Sequence, residues 1–478
     1  MYFVIPISAA LLALVLILII RELLFKPEAD GRTESEPITV DSDFALYTLR
    51  EMIKKKTVSS TDKSMENTGE FSDFAALLPN LFPSLFKAAT VETPSDRSIL
   101  IRYRGKSASS PTVFMAHYDV VSVDDSGWSK PPFDAIYEDG YLWGRGTIDT
   151  KVTLNGILVA AESLAKEGFV PENDMYFAFA GDEEIGGYGA PTIVSLFKER
   201  GITPSLVLDE GGAVVEGVFP GVNKPMALIG IAEKGMLNIS YTVKGGGGHS
   251  SAPARENPIG ILSKACIKVE SKPAKFRITE PAKLMFDKLA RHSSFGYRLI
   301  FANLWLFAPI LNLITKKSRG ELSALVRTTD AFTKMKGSDG MNVIPPTASL
   351  VSNHRIIHGE TVDSVKERIV RAVNDERVEI SVINGMNPSV VSAVDSEGYS
   401  RLSSAVGECW GDAVVSPYLM LACSDSRHYG EISDKVYRFS ALALSKEERA
   451  LIHGNNERIS IESIMKNAEF YIRLMKKS

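Results

Sequence analysis

Between Thr112 and Leu208 short apolar runs alternate with amphipathic stretches, and no other feature constrains the fold as tightly. Thr112 to Ala116 reads as a buried strand ending at His117. The spacing of Leu154, Ile157, Leu158, Ala161 and Leu164 predicts a helix over 153–166 that stops at Gly168. A second strand is expected over 175–180, a helix with proline in its first turn over 191–200, and a further strand over 205–208. Strands alternating with helices predict an α/β domain with a mostly parallel sheet covered on both faces. In such sheets ligands bind beyond the carboxyl ends of the strands.

Polar residues gather at those ends. His117-Tyr118-Asp119 follows the first strand, Asp149 precedes the helix, Glu183-Glu184 follows the next strand and Asp209-Glu210 the last. Within "FAGDEEIGG", Asp182, Glu183 and Glu184 stand together directly after an apolar run, although massed like charges repel and resist burial. Taken singly, each such His or Asp is an ordinary cap or hydrogen-bonded structural residue. Occurring at successive strand ends, they offer the nitrogen and oxygen ligands of a divalent metal. Cations at the centre would offset the clustered charge.

The chain has 478 residues, enough for more than one domain. Its formal charge of −4 with no basic block makes nucleic acid an unexpected partner. Cys266, Cys409 and Cys423 are too few and too scattered for a disulfide framework or a cysteine zinc cluster. Phe3 to Ile20 is an uninterrupted apolar stretch followed by Arg21 and Lys26. It is long enough to cross a bilayer, and it lacks the small-residue site and basic leader of a cleaved signal peptide. The expectation is a single-pass anchor (1–25) whose side of the membrane stays open, then a solvated tether (26–42) rich in Pro, Glu and Asp.

The ordered segments "MAHYDVV", "GRGTIDTK", "GDEEIGG", "LDEGG", "GGGGHSSAP", "NVIPPTAS", "CSDSRHYG" and "IHGNNERIS" resemble the zinc aminoacylase and carboxypeptidase family of metallopeptidases, most nearly its carboxypeptidase S branch. The resemblance covers essentially everything after the tether. It implies two zinc ions per subunit. Asp149 would bridge them, His117 and the acid of "LDEGG" would complete one site, and Glu184 and His453 the other. Asp119 would stand behind His117 and fix its tautomer. Glu183 would be the general base that deprotonates the bridging water and later protonates the leaving amine. In "LDEGG" neighbouring side chains on extended backbone point opposite ways; the aminoacylase pattern favours Glu210, with Asp209 as rival. His453 and Glu457 satisfy the family's His-x-x-x-Glu pattern, which leaves His428 a bystander. Arg427 is suited to a two-pronged hydrogen bond with a substrate carboxylate.

Residues 236–388 read as an inserted α+β unit resembling the family's lid, or dimerisation, domain between the catalytic parts 43–235 and 389–478. Helices are expected over 257–272 and 361–374, with strands over 237–243, 348–357 and 378–383. By resemblance, His249 and Asn342 would polarise the scissile carbonyl and stabilise the oxyanion, the histidine reaching into a partner subunit in a homodimer. Arg355 is a second candidate for the substrate carboxylate, equally readable as a surface arginine. The apolar stretch 295–314 is expected to be a buried helical insertion, with contact to a bilayer or an acyl chain as the alternative. The resulting expectation is a membrane-anchored di-zinc hydrolase cutting an amide bond beside a free carboxylate, in short peptides or in N-acyl amino acids. The reading from another class is a metal-binding scaffold that has lost catalysis.

Overall fold

A computed structural model describes residues 4–27, 36–318 and 320–478, so residues 28–35 of the expected tether lie outside the described residues. The predicted alternation is present, with boundaries shifted by a residue or two except that the first strand begins five residues earlier than expected: helices Lys151–Lys166 and Gly189–Glu199, strands Ser107–His117, Asn173–Ala180 and Leu206–Asp209. Those strands form the middle of a ten-stranded mixed sheet. Ser107–His117 pairs in parallel with Asn173–Ala180 on one side and Leu206–Asp209 on the other. Their carboxyl ends therefore lie side by side, and the helix Lys151–Lys166, almost wholly buried, packs beneath. The C-terminal part of the chain completes the sheet. Val436–Arg438 runs parallel to Leu206–Asp209 and touches Met226–Glu233 through Arg438 and Gly230, while Val414–Met420 pairs in parallel with Met226–Glu233.

The inserted unit carries a four-stranded antiparallel sheet in the order Thr329–Lys336, Thr347–Ile356, Gly235–Lys244, Glu379–Met386. Along Gly235–Lys244 and Thr347–Ile356 buried and partly exposed residues alternate, as a sheet covered on one face requires. Helices Pro258–Glu270 and Val362–Val373 supply the cover, and Leu237, Ile239, Leu262, Leu350, Val365 and Ile369 make a separate core. Asn257 and Thr361 cap the two helices through their side chains, and Asn374 ends the second in the left-handed conformation.

The segment between those lid helices and strands packs elsewhere. Met285, Phe286, Leu289, Phe301, Leu311 and Val326 join the core of the catalytic unit, not that of the lid. The apolar stretch forms helices Phe295–Ala302 and Leu304–Ser318, and the expectation of a buried insertion describes only one side of it. Phe301, Ala302, Leu311 and Thr315 are buried, whereas Phe295, Tyr297, Trp305, Leu306, Ile310, Leu313 and Ile314 are exposed. Periodicity put apolar residues on more of the helix surface than the core can cover. The N-terminal helix Val4–Leu24 docks on this pair through its last turns and leaves its earlier apolar residues, from Ile7 onward, uncovered.

Candidate metal centre and active site

His117 ends its strand with its ring buried. Nδ1 lies 3.0 Å from the backbone oxygen of Asp119 and 3.3 Å from its Oδ1, so Nδ1–H donates there and Nε2 is left as the free lone pair. That Nε2 is 3.0 Å from Asp149 Oδ1 and 3.5 Å from Glu210 Oε1. On the other side of Asp149, Oδ2 is 3.0 Å from His453 Nε2, which is itself 3.2 Å from Glu184 Oε2. A single carboxylate thus presents one oxygen to each imidazole, with a glutamate flanking each pair. Ligand atoms of His117, Asp149 and Glu184, and of His117, Glu183 and Glu210, fall within 4.8 Å of one another in each group. Two nitrogens among carboxylate oxygens, arranged about a bridging acid, fit a pair of divalent cations.

Asp119 touches more of this site than a tautomer-fixing role demands. Fully buried, its Oδ1 accepts the backbone N–H of Glu183 at 3.1 Å, and Oδ2 accepts that of Glu184 at 3.1 Å and the hydroxyl of Ser59 at 2.7 Å. One side chain therefore sets both the His117 ring and the loop that carries the two glutamates. Glu457 does the same for Asp149. Its buried carboxylate accepts backbone N–H groups of Gly146, Ile148 and Asp149 at 3.1, 2.6 and 3.2 Å, and pairs with Arg145 at 2.8 Å. Arg145 also donates to the backbone oxygen of His453 at 3.4 Å. His453 sits at φ 59°, where few non-glycine residues are comfortable, so its turn is held rather than chosen. Ser59 gave no signal in the sequence; Arg145 was visible only as part of the segment "GRGTIDTK" and Glu457 only as the end of the His-x-x-x-Glu pattern.

Burial and neighbouring acids tune the carboxylates apart. Glu183 is pushed well above the ordinary carboxylate range by desolvation, although the His117 charge opposes it. Glu210 is raised to about 7 by burial and by the Asp149 charge. Burial would also raise Asp149, but hydrogen bonds from His117 and His453 outweigh it and hold the group low. Asp209, the rival ligand, is turned away: its Oδ2 accepts the backbone N–H of Ser426 at 2.9 Å, tying the "CSDSR" segment to the strand end.

Each of the two arginines links the lid region to the catalytic unit. Arg427 Nη2 donates to the backbone oxygen of Asn387 at 2.7 Å. Its buried Nη1 has no hydrogen-bond partner among the described residues and stops 3.7 Å from Glu233, whose carboxylate is already engaged by Arg438 at 2.7 Å and by Ser424 at 2.8 Å. Arg355 extends from the lid strand to donate to Cys423 Sγ at 3.3 Å, so it is no free surface arginine. His249 and Asn342 lie apart from the buried cluster. The backbone of His249 pairs with Val343 in a two-stranded ribbon, its ring is exposed, and Nδ1 meets the Ser251 hydroxyl at 2.8 Å.

Residues 113–477 match the family described as peptidase family M20/M25/M40. An N-fatty-acyl-amino acid synthase/hydrolase PM20D1 of Xenopus tropicalis is 38% identical over 437 residues, covering 90% of this chain and 85% of its own. A probable carboxypeptidase S-like 2 of Dictyostelium discoideum is 35% identical over 480 residues, covering 98% and 92%. In fold, an M20 metallo-carboxypeptidase of Sulfolobus solfataricus superposes with a TM-score of 0.67 at 19% identity, covering 90% of this chain and 98% of that one. A Bacillus subtilis protein described as a dinuclear metal binding peptidase of the same family gives 0.55 at 12% identity, covering 91% and 98%. The chain belongs to the M20/M25/M40 peptidase family, on its carboxypeptidase S-like branch, and is one of that family's metallopeptidases and amidohydrolases.

Proposed function

We propose that this protein is a membrane-anchored, two-zinc hydrolase of an amide bond that neighbours a free carboxylate. The observation that carries the substrate class is the buried Nη1 of Arg427, a guanidinium nitrogen that faces Glu233 at 3.7 Å but has no hydrogen-bond acceptor among the described residues. A substrate carboxylate is the natural anion for it, because Glu233, the acid it faces, is already engaged by Arg438 and Ser424. The proposed ligands are His117, Asp149 and Glu210 for one cation and Asp149, Glu184 and His453 for the other. Bound there, the cations supply a polarised carbonyl and an acidified water. Glu183 would act as the general base toward the attacking water and as the proton donor to the departing amine, a role its raised pKa suits. Arg427 and Arg355 hold the carboxylate end, which fixes the carbonyl over the cluster and excludes internal peptide bonds. His249 and Asn342 serve the carbonyl oxygen. The N-terminal helix, with a mean hydropathy of 2.5 over Ile7–Leu24, provides the anchor.

Short peptides are the first substrate class. N-acyl amino acids are the second reading, favoured by the Xenopus relative's name, and both present the same carboxylate. A panel of dipeptides and N-acyl amino acids, each free and with its carboxylate amidated, tests the proposal. Free acids should be cleaved and amidated forms poorly. Loss of a buried charged hydrogen bond costs about 2–5 kcal/mol, so Arg427→Ala should lower kcat/KM roughly a hundredfold on free acids. It should change little on amides. Equal cleavage of free and amidated substrates by the unmodified enzyme would remove the carboxylate from the proposal.

A further inference from the structure

We infer that the helix Leu304–Ser318 lies along the membrane surface, its outer face in the lipid leaflet that the N-terminal helix enters. The inference rests on the anchor reading and adds a second, in-plane contact with the same bilayer.

Four contacts fix how the helices meet. Arg291 donates to the backbone oxygen of Lys26, Arg298 pairs with Glu22, Arg21 donates to the backbone oxygen of Ala302, and Asn303 donates to that of Leu18. Later residues of one segment meet earlier residues of the other, so Phe295–Ala302 runs antiparallel to the anchor's last turns and climbs toward its apolar part. At Asn303 the chain bends by 111°. The next helix, Leu304–Ser318, therefore runs crosswise to the anchor, as a helix lying in the plane of a membrane would. Its starting level is that of Leu18, roughly 9 Å along the anchor from Leu24 at 1.5 Å per residue. Interfacial helices sink their apolar face about 5–10 Å into the headgroup and acyl boundary.

The outer face fits that position. Leu311 and Thr315 rest on the protein, with Arg327 donating to Thr315 Oγ1 at 2.7 Å from beneath. The opposite face is left uncovered by the protein, next to a helix whose own earlier apolar residues are uncovered too. It consists of Trp305, Leu306, Pro309, Ile310, Leu313 and Ile314, with Trp305 59% and Leu313 56% exposed. No charged residue interrupts 304–315, and Lys316 and Lys317 follow at once. A tryptophan at one end and lysines at the other are the groups that settle at a lipid headgroup boundary. The ion pair of Glu22 with Arg298 neutralises the charges that would otherwise resist approach to lipid.

The test uses the full chain in phosphatidylcholine vesicles containing anionic lipid, with bromine placed on the acyl chains either near the headgroup or near the tail end. The fluorescence lost between the unmodified protein and Trp305→Phe isolates Trp305. That signal should be quenched, and more strongly by the shallow bromines. A Leu12→Trp substitution added to Trp305→Phe reports the anchor, and should be quenched more strongly by the deep ones. The double variant Ile310→Glu, Ile314→Glu should stay in the vesicles and keep its activity on a soluble substrate while losing Trp305 quenching. Quenching at Leu12→Trp without quenching at Trp305 overturns the in-plane contact and leaves the anchor standing. Absence of both overturns both. An unquenched Trp305 combined with Ile310→Cys disulfide dimers would show that a second copy covers this face, which also overturns the proposal.

Discussion

Asp119 and His249 are assigned to the same reaction, yet their surroundings are opposites. Asp119 is fully buried, and its two carboxylate oxygens accept hydrogen bonds from a serine and from the backbone of both neighbouring glutamates. His249 is exposed on a two-stranded ribbon, and its ring meets only the nearby Ser251 among the hydrogen bonds described. The groups that would gather metal are thus fixed before any ligand arrives. The group that would touch the carbonyl has to be brought to it, by lid closure or by a second subunit. Electrostatic catalysis needs donors in place when charge develops, so the exposed ribbon is where substrate binding energy would be spent.

The sharpest way to break this contrast is at the base. Glu183→Gln keeps the shape and removes the proton acceptor, so kcat should fall by about two to four orders of magnitude with metal content unchanged. Glu184→Gln should lose metal instead, and equal metal content in the two variants would erase the division of labour between neighbouring glutamates. Next in size is the lid. His249→Ala should lower kcat by about a hundredfold or more, as removal of one oxyanion donor does. If the histidine comes from a partner subunit, mixing His249→Ala chains with Glu183→Gln chains should restore activity, since each mixed dimer holds one intact site. A verified mixed dimer that stays inactive places His249 within its own chain or outside the reaction.

Smaller effects probe the buried supports. Asp119→Ala and Glu457→Gln should each weaken metal affinity by about 10–100-fold, measured by competition with a chromogenic chelator. Unchanged affinity would mean that the rigidity of these loops serves folding alone. The smallest expected effect is on protons. In protein stripped of metal, hydrogen bonds to Asp149 and Glu184 raise His453 to about 10. A raised imidazole contributes its stabilisation fully below its ordinary value, near 6.5, and loses it as pH rises through about 10. Zinc needs the neutral ring, so reloading near neutral pH should release protons and affinity should rise with pH. Titration calorimetry in buffers of different ionisation enthalpy reads that release.

Where the sequence was legible, the reason was local. Strand ends, the acids placed just beyond them and the lid helices are written in spacing and in caps such as Asn257 and Thr361. The choice between Asp209 and Glu210 could be posed from backbone alternation, but only the position of Ser426, far along the chain, shows where Asp209 turns. Ser59, Arg145 and the hydrogen bonds of Glu457 depend on long-range packing that no spacing encodes. The apolar insertion teaches a related point. Composition announces Leu304–Ser318, yet which of its sides the core covers is decided by Phe286 and Phe301 and their neighbours on other helices.

The strand Val436–Arg438 lies between Leu206–Asp209 and Met226–Glu233, which come more than two hundred residues earlier in the chain. A ribosome delivers those earlier strands first, so during synthesis the central sheet stands open with two unpaired edges. Open edges are templates for wrong partners, and contacts this distant in sequence form slowly. The central sheet cannot close until Val436–Arg438 has been made, and His453 follows it in the chain. A chain made only as far as that strand therefore lacks one of the two imidazoles of the proposed metal centre, and metal loading has to wait for it.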